Sequence, residues 1–328
     1  MIESSYEFNR KLNNDKIFCP LYNEDRTIGF TVLLLEEAEK MGGNVSCYEK
    51  RMFTTEEKLE LLDGMGKAGF SVIEVGSFMS PKAVPQMANT DEVYEKLEKV
   101  PGVEYRALIA NLRGVERAIA CGCKKVKLNV SASRAHNLAN LNRTPEESVA
   151  RFGDCVTCAK EAGLEISGSI SMAFGSPWDK EIPIGAVASI VEAYMAVGIN
   201  EISLSDASGM AFPPQVQEIC AYMKKHYPKN MWWLHFHNTR GLGMANILAG
   251  MQSGFTQFDS SFAGVGGCPF VPGAAGNVAT EDVLNLCEES GIDTGIDFDK
   301  ALEVSRRVAQ LVAHPTDSYL LRAGKSRD

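Results

Sequence analysis

His235 and His237 stand one residue apart at the end of the apolar run MWWLHFH. In an extended strand alternate side chains share a face, so the pair can present two imidazoles to one point, which is a metal-ligand geometry. For a bare His-x-His the plainer reading is two hydrogen-bonded histidines at a strand end. Other residues add to the pair. Asn277, in GNVATEDV, carries an amide oxygen that can serve as a hard ligand. Glu74, in SVIEVGSF, and Asp206, in ISLSDASG, place carboxylates at the ends of apolar segments. Imidazoles combined with oxygen ligands suit a hexacoordinate Mg²⁺ or Mn²⁺, with Zn²⁺ also possible, and water and substrate oxygens would complete the shell. Such an ion polarises a carbonyl or hydroxyl oxygen and stabilises an enolate. Cys268 lies in the glycine-rich loop GVGGCPF. A thiol beside a cation has a lowered pKa and can exchange protons with substrate.

The elements that must position these groups alternate along the chain. Strands are expected at Thr31–Leu35, Ser71–Val75, Glu104–Ala110, Lys125–Asn129, Glu165–Met172, Glu201–Ser205, Met231–His237 and Gln257–Phe262. Helical patterns follow them: one opened by Thr54-Thr55-Glu56-Glu57 and running to Ala68, then Glu92–Val100, Leu112–Cys121, Pro145–Ala162, Ile184–Val197, Pro214–His226, Met244–Ser253 and Thr280–Ser290. Thr54 followed by Glu57 is a capping-box spacing, and several helices end on a glycine just before the next strand, where a left-handed C-cap is needed. Eight strands alternating with eight helices predict an α/β fold with a parallel sheet closed into a (β/α)8 TIM barrel. The runner-up is an open doubly wound sheet, but no G-x-G-x-x-G follows the first strand. The expected organisation is an N-terminal arm over 1–30, a catalytic barrel over 31–292 and a C-terminal helical extension packed on the barrel over 293–328. In such a barrel the active site lies where the strands end. Polar residues at those ends are therefore candidates: Glu36, Glu74, Asn129, Ser169, Ser171, Asp206, His235, His237 and Asp259.

The 328 residues are 45% hydrophobic and carry a net charge of −9, which supplies a core but no basic footprint for nucleic acid or an anionic membrane. No apolar run is long enough to span a bilayer and the N-terminus lacks a signal-peptide core, so a cytoplasmic setting is expected. The nine cysteines read as reduced thiols. Cys155-x-x-Cys158 falls inside a helical pattern without a second pair at zinc-ribbon spacing, and Cys121-x-Cys123 sits where a helix meets a strand; both are read as packing.

Four segments carry a family resemblance: SVIEVGSFMSPKAVPQMANTDEV, NVSASRAHNLANLNRTPEESVARF, LHFHNTRGLGMANILAGMQSG and DSSFAGVGGCPFVPGAAGNVATEDVL. From about Phe53 to Ser290 the chain resembles 3-hydroxy-3-methylglutaryl-CoA lyase and related acyl-CoA lyases of the metallolyase TIM barrels. The resemblance implies a retro-Claisen cleavage of a hydroxyacyl-CoA to an acetyl-CoA-type product and a ketone or keto acid. By matching motifs, His235, His237 and Asn277 would hold the metal, His235 would also act in proton transfer, Cys268 would be the loop thiol, and Glu74 and Asp206 would be active-site carboxylates. The first strand departs from the pattern. The lyases follow it with Arg-Asp-Gly, whose aspartate is a ligand and whose arginine steadies the developing enolate; this chain reads LEEAEKMGGN over 35–44. Aligned on the strand, Lys40 takes the arginine position and Met41 the aspartate position; aligned back from Glu74, Gly43 and Asn44 do. A thioether is a poor ligand for a hard cation, and lysine lacks the guanidinium fork. Asn238, where the lyases tend to carry aspartate, removes another negative charge. A site completed by Glu36, Glu37 or Glu39, a relative with changed chemistry, and a barrel that has lost lyase activity and binds an acyl-CoA or a partner protein all remain open, as does a related aldolase or Claisen-type condensing enzyme. The expected ligand is an acyl-CoA or hydroxy acid. Ser131-Ala132-Ser133, Lys82 and Arg240 are possible contacts for it, and Trp232 and Trp233 read as core and wall. A homo-oligomer is compatible with the helix pattern, which does not decide it.

Overall fold

The computed structural model describes residues 29–33, 51–81, 84–266, 275–312 and 314–326. Eight parallel strands close a barrel in chain order: β1 Gly29–Leu33, β2 Val72–Ser77, β3 Glu104–Ile109, β4 Lys125–Ser131, β5 Glu165–Ser171, β6 Glu201–Asp206, β7 Met231–Phe236 and β8 Gln257–Ser261. Closure is direct, because Thr31 is paired with Val72 on one side and with Asp259 on the other. The TIM barrel expected from the alternation is therefore the fold.

The sequence of β4, KVKLNVS, shows how each strand divides its faces. Val126, Leu128 and Val130 are fully or almost fully buried in the apolar core, while Lys127 pairs with residues of β2 and β8 across the barrel. Alternation then assigns Asn129 and Ser131 to the same inner face. The barrel is greasy outside, under its helices, and polar inside.

The capping box at Thr54 is formed: Glu57 N–H donates to Thr54 Oγ1 at 3.2 Å and Thr54 N–H to Glu57 Oε2 at 3.0 Å. Of the helix-ending glycines, Gly163 sits at φ 67°, where a Cβ would be strained. Three details differ from expectation. The first strand begins at Gly29, two residues early, and Leu34 and Leu35 lie outside the described residues. The helix expected over Pro145–Ala162 is two helices, Pro145–Val149, opened by a capping box between Thr144 and Glu147, and Phe152–Glu161. A further helix, Arg134–Leu141, fills the β4 loop, started by Ser133 Oγ accepting from His136 N–H. After the barrel, the helix Phe298–Leu311 lies against the first described helix, Thr55–Lys67, with Asp297 N–H donating to Ala68 O at 2.8 Å and Arg307 paired with Glu60. Among the described residues no helix is long and apolar enough to cross a membrane. The six described cysteines are free thiols. Burial pushes the Cys155 thiol up to about 11, in keeping with a packing role.

Candidate active site

Strand β7 carries both imidazoles to the C-terminal mouth. Trp233 Nε1 donates to Glu201 inside the barrel at 3.0 Å, so alternation turns His235 and His237 the same way. Their rings lie 5.1 Å apart between centroids, and both residues are almost fully buried. The chain beyond β8 returns to meet them. His237 forms an antiparallel bridge with Asn277, Asn238 N–H donates to Gly276 O at 3.1 Å, and Val278 N–H donates to Phe236 O at 3.1 Å. Asn277 gives its Nδ2 to Val265 O at 3.0 Å. That bond fixes the amide orientation and assigns Oδ1, a hard oxygen, as the atom that would meet a cation. The glycines of this loop allow its two stems to touch, since a Cβ on Gly276 would overlap the Gly264 carbonyl oxygen.

Below the histidines lies a buried charge cluster. Lys127 Nζ is 3.0 Å from Glu74 Oε2 and 3.1 Å from Asp259 Oδ2. Ser203 Oγ donates to the same Asp259 oxygen at 3.2 Å, and His235 Nδ1 lies 3.6 Å from it. Burial alone would lower the ammonium pKa of Lys127, but Asp259 and Glu74 outweigh it and the net shift is upward. Burial likewise pushes Asp259 up, yet Lys127 and His235 reverse it and hold the carboxyl well below its ordinary range. Asp259 is therefore a fixed anion facing Nδ1, the arrangement by which a carboxylate orients an imidazole and leaves Nε2 to a metal. A deeper network, in which Glu104 and Glu201 hold Arg106 and Lys125, fills the barrel beneath it.

The structure brings His235, His237 and Asn277 together and sets Glu74 beneath them through Lys127. It also shows what Asp206 binds within the fold. One oxygen accepts from Ser208 Oγ at 3.0 Å and Met210 N–H at 2.9 Å, and the other from Ala211 N–H at 2.9 Å. Burial raises its pKa, and these bonds oppose the rise. Asp206 thus ties down the loop after β6, although its charge is within electrostatic reach of His237. Arg240, one of the residues that could meet a substrate anion, donates to the carbonyls of Ser208 and Gly209 in that loop, at 3.0 Å each. Asn238 Oδ1 accepts from Gly243 N–H at 3.1 Å, at the start of the helix Gly243–Gln252. Ser131 and Ser133 support the β4 loop, where Ser133 Oγ binds Ser176 and Asp179. Lys40, Cys268, Lys82, Glu36, Glu37, Glu39, Met41 and Asn44 lie outside the described residues. Among the described residues no group of three His, Cys, Asp or Glu side chains is spaced to hold a metal; His235, His237 and Asn277 together offer two imidazoles and an amide oxygen. Two neutral nitrogens and one hard oxygen fit a borderline or hard divalent ion whose remaining positions are filled by oxygens. Lys127 was missed by sequence reasoning. Its signal was the run Lys125, Lys127, Asn129, Ser131, which places polar residues on alternate positions of a strand that should be buried on both faces.

The HMGL-like family profile matches residues 46–308, four-fifths of the chain. The mitochondrial hydroxymethylglutaryl-CoA lyase of Macaca fascicularis is 38% identical over 275 residues, 84% of this chain and 85% of the relative. The chain belongs to the hydroxymethylglutaryl-CoA lyase family. Hydroxymethylglutaryl-CoA lyase YngG of Bacillus subtilis is 36% identical over 272 residues, 83% of this chain and 91% of its own. Among solved structures, an HMG-CoA lyase from Acinetobacter baumannii in complex with coenzyme A and 3-methylmalate superposes with a TM-score of 0.86 at 38% identity, covering 92% of this chain and 96% of that one. Glu74, Asp206, His235, His237, Cys268 and Asn277 all fall within the span matched to the hydroxymethylglutaryl-CoA lyase family. The divergent stretch 35–44 falls before it.

Proposed function

We propose that this chain is a divalent-metal-dependent carbon–carbon lyase that cleaves a 3-hydroxy-3-methylglutaryl-CoA-like thioester to an acetyl-CoA-type product and a keto acid or ketone. The observation that carries this reading is the convergence of His235, His237 and Asn277 at the mouth of the barrel in a chain 38% identical to lyases of that name. His235, His237 and Asn277 would hold Mg²⁺ or Mn²⁺, with Zn²⁺ a third candidate. When bound, the ion supplies Lewis acidity to substrate hydroxyl and carbonyl oxygens.

In the reaction the bond between the thioester α-carbon and the carbinol carbon breaks. The hydroxyl proton leaves to a base, the carbinol carbon becomes a carbonyl, and the electron pair passes to the α-carbon, which a proton then converts to the acetyl group. We assign proton transfer to Cys268, which supplies the α-carbon, and to His235, whose Nε2, with Asp259 beside Nδ1, is the ring nitrogen that either holds the ion or takes the hydroxyl proton, not both at once. Asp206 holds the β6 loop in place, and Glu74 acts through Lys127 by setting the charge beneath the histidines. Lys40 is assigned the enolate-steadying place of the lyase arginine. We also propose a cytoplasmic setting.

One observation favours a second reading, a barrel that binds the thioester without cleaving it: residues 35–44 lack the Asp ligand, and the family profile begins only at residue 46. Incubation with 3-hydroxy-3-methylglutaryl-CoA and Mg²⁺ or Mn²⁺, with chromatography of the thioesters, separates the two. The lyase reading expects acetyl-CoA that chelator abolishes. Thermal stabilisation by the thioester, with no acetyl-CoA at any metal concentration, supports the second reading.

A further inference from the structure

The wall beside the imidazoles has a chemistry the reaction itself does not need. Ser203 bonds Asp259 inside the barrel, so Ser205, two residues on, faces inward as well. Ser205 is the register partner of His235 on the neighbouring strand, which places the two Cα atoms ~4.8 Å apart with side chains on one face. Ser169 is the register partner of Ser203 on one side and of Asn129 on the other, so it too is inward. Ser169 and Ser205 are each 6% exposed. Their neighbours are committed: Ser171 Oγ donates to Asn129 Oδ1 at 2.9 Å, and Ser131 Oγ binds Ser171 O and Ser133 N–H. Among the described residues neither Ser169 Oγ nor Ser205 Oγ has a side-chain hydrogen bond. The cations inside the barrel, Lys125, Lys127 and Arg106, are all paired with carboxylates deeper in.

Two inward hydroxyls on short side chains, without a side-chain bond to another described residue, make a polar recess next to the histidines. A purely alkyl substituent seated there would strip them of water without replacing its hydrogen bonds, whereas a hydroxyl-bearing one replaces them. We propose that Ser169 and Ser205 determine specificity by recognising a hydroxylated substituent on the carbinol carbon of the substrate. This rests on the lyase reading for the placement of that carbon beside His235.

The test compares 3-hydroxy-3-methylglutaryl-CoA with the thioester in which CH₂OH replaces the 3-methyl. Calorimetric Kd values on metal-depleted protein and kcat/KM with Mn²⁺ are both measured. The native protein is expected to prefer the hydroxymethyl thioester by about tenfold, the worth of one buried hydrogen bond. Ser205→Ala and Ser169→Ala should bring that ratio toward one by weakening the hydroxymethyl ligand. Loss of a hydroxyl without a side-chain bond to another described residue should leave Tm in place, so misfolding does not confuse the result. A native ratio near one, or a ratio that neither substitution moves, overturns the assignment. A tenfold Kd ratio that the serine variants abolish, with no cleavage of either thioester, upholds the serines and overturns the lyase reading instead.

Discussion

Replacing Lys127 by methionine tests whether the cluster beneath the histidines is held by that one cation. Nζ stands 3.0 and 3.1 Å from two carboxylates in a largely buried site. At an effective dielectric near 20 each contact is worth roughly 5 kcal/mol of attraction. Desolvation of the ammonium cancels much of this, but Lys127→Met leaves Glu74 and Asp259 buried and uncompensated, and breaking a buried pair from one side costs about 3–5 kcal/mol. At ~2.1 cal/mol/K per residue over the 328 residues, the unfolding entropy is ~0.7 kcal/mol/K, so Tm should fall by about 4–7 °C. Thermal unfolding followed by circular dichroism reads this. The combined variant Lys127→Met, Glu74→Gln, Asp259→Asn should regain part of the loss, because it removes the stranded charges. A single variant within 1 °C of the parent would show that the carboxylates do not depend on Lys127 and would refute the reasoning.

Asp206→Asn puts an amide where three donors converge, so one N–H must face another; a loss of about 2 kcal/mol and a reduced kcat are expected from urea unfolding and steady-state assays. Mn²⁺ titration followed by electron paramagnetic resonance should show one bound ion in the parent and a fall of at least tenfold in affinity for His237→Ala; equal affinity in the two proteins would remove His237 from the ligand set. His136 is buried, and burial lowers its pKa from 6.5 to about 4. The folded state therefore keeps it neutral while the unfolded chain takes up a proton. Its contribution is full above pH 6.5 and is lost as pH falls toward 4, by about 3 kcal/mol. His136→Gln should flatten that part of the stability profile, and an unchanged acid limb would contradict it.

The barrel was legible because its signals are local. Thr54 with Glu57, the glycines closing the helices, and the apolar strand runs act over a few residues, and eight repeats of them admit few closures. The histidine pair was legible for the same reason, since strand alternation alone puts His235 and His237 on one face. The charge cluster was not, because Glu74, Lys127 and Asp259 belong to β2, β4 and β8 and meet only across the closed barrel. Asp206 shows what position at a strand end leaves undecided: whether such a carboxylate binds its own loop depends on which backbone N–H groups the loop folds back, and Met210 and Ala211 supply them. Arg134–Leu141 was missed because eight helices already satisfied the alternation. The segment 35–44, which lacks the lyases' Arg-Asp-Gly, lies outside the described residues.

The proposed activity breaks one bond. Following 3-hydroxy-3-methylglutaryl-CoA labelled with ¹³C at the thioester carbonyl and at the terminal carboxylate by NMR, in a single tube with Mn²⁺ kept sub-stoichiometric or Mg²⁺ in excess, reads that bond directly. With a lyase, the first label appears in acetyl-CoA and the second in acetoacetate at equal rates, and chelator stops both. Release of free coenzyme A with both labels still on one molecule, or a thioester that binds and stays whole, would contradict it.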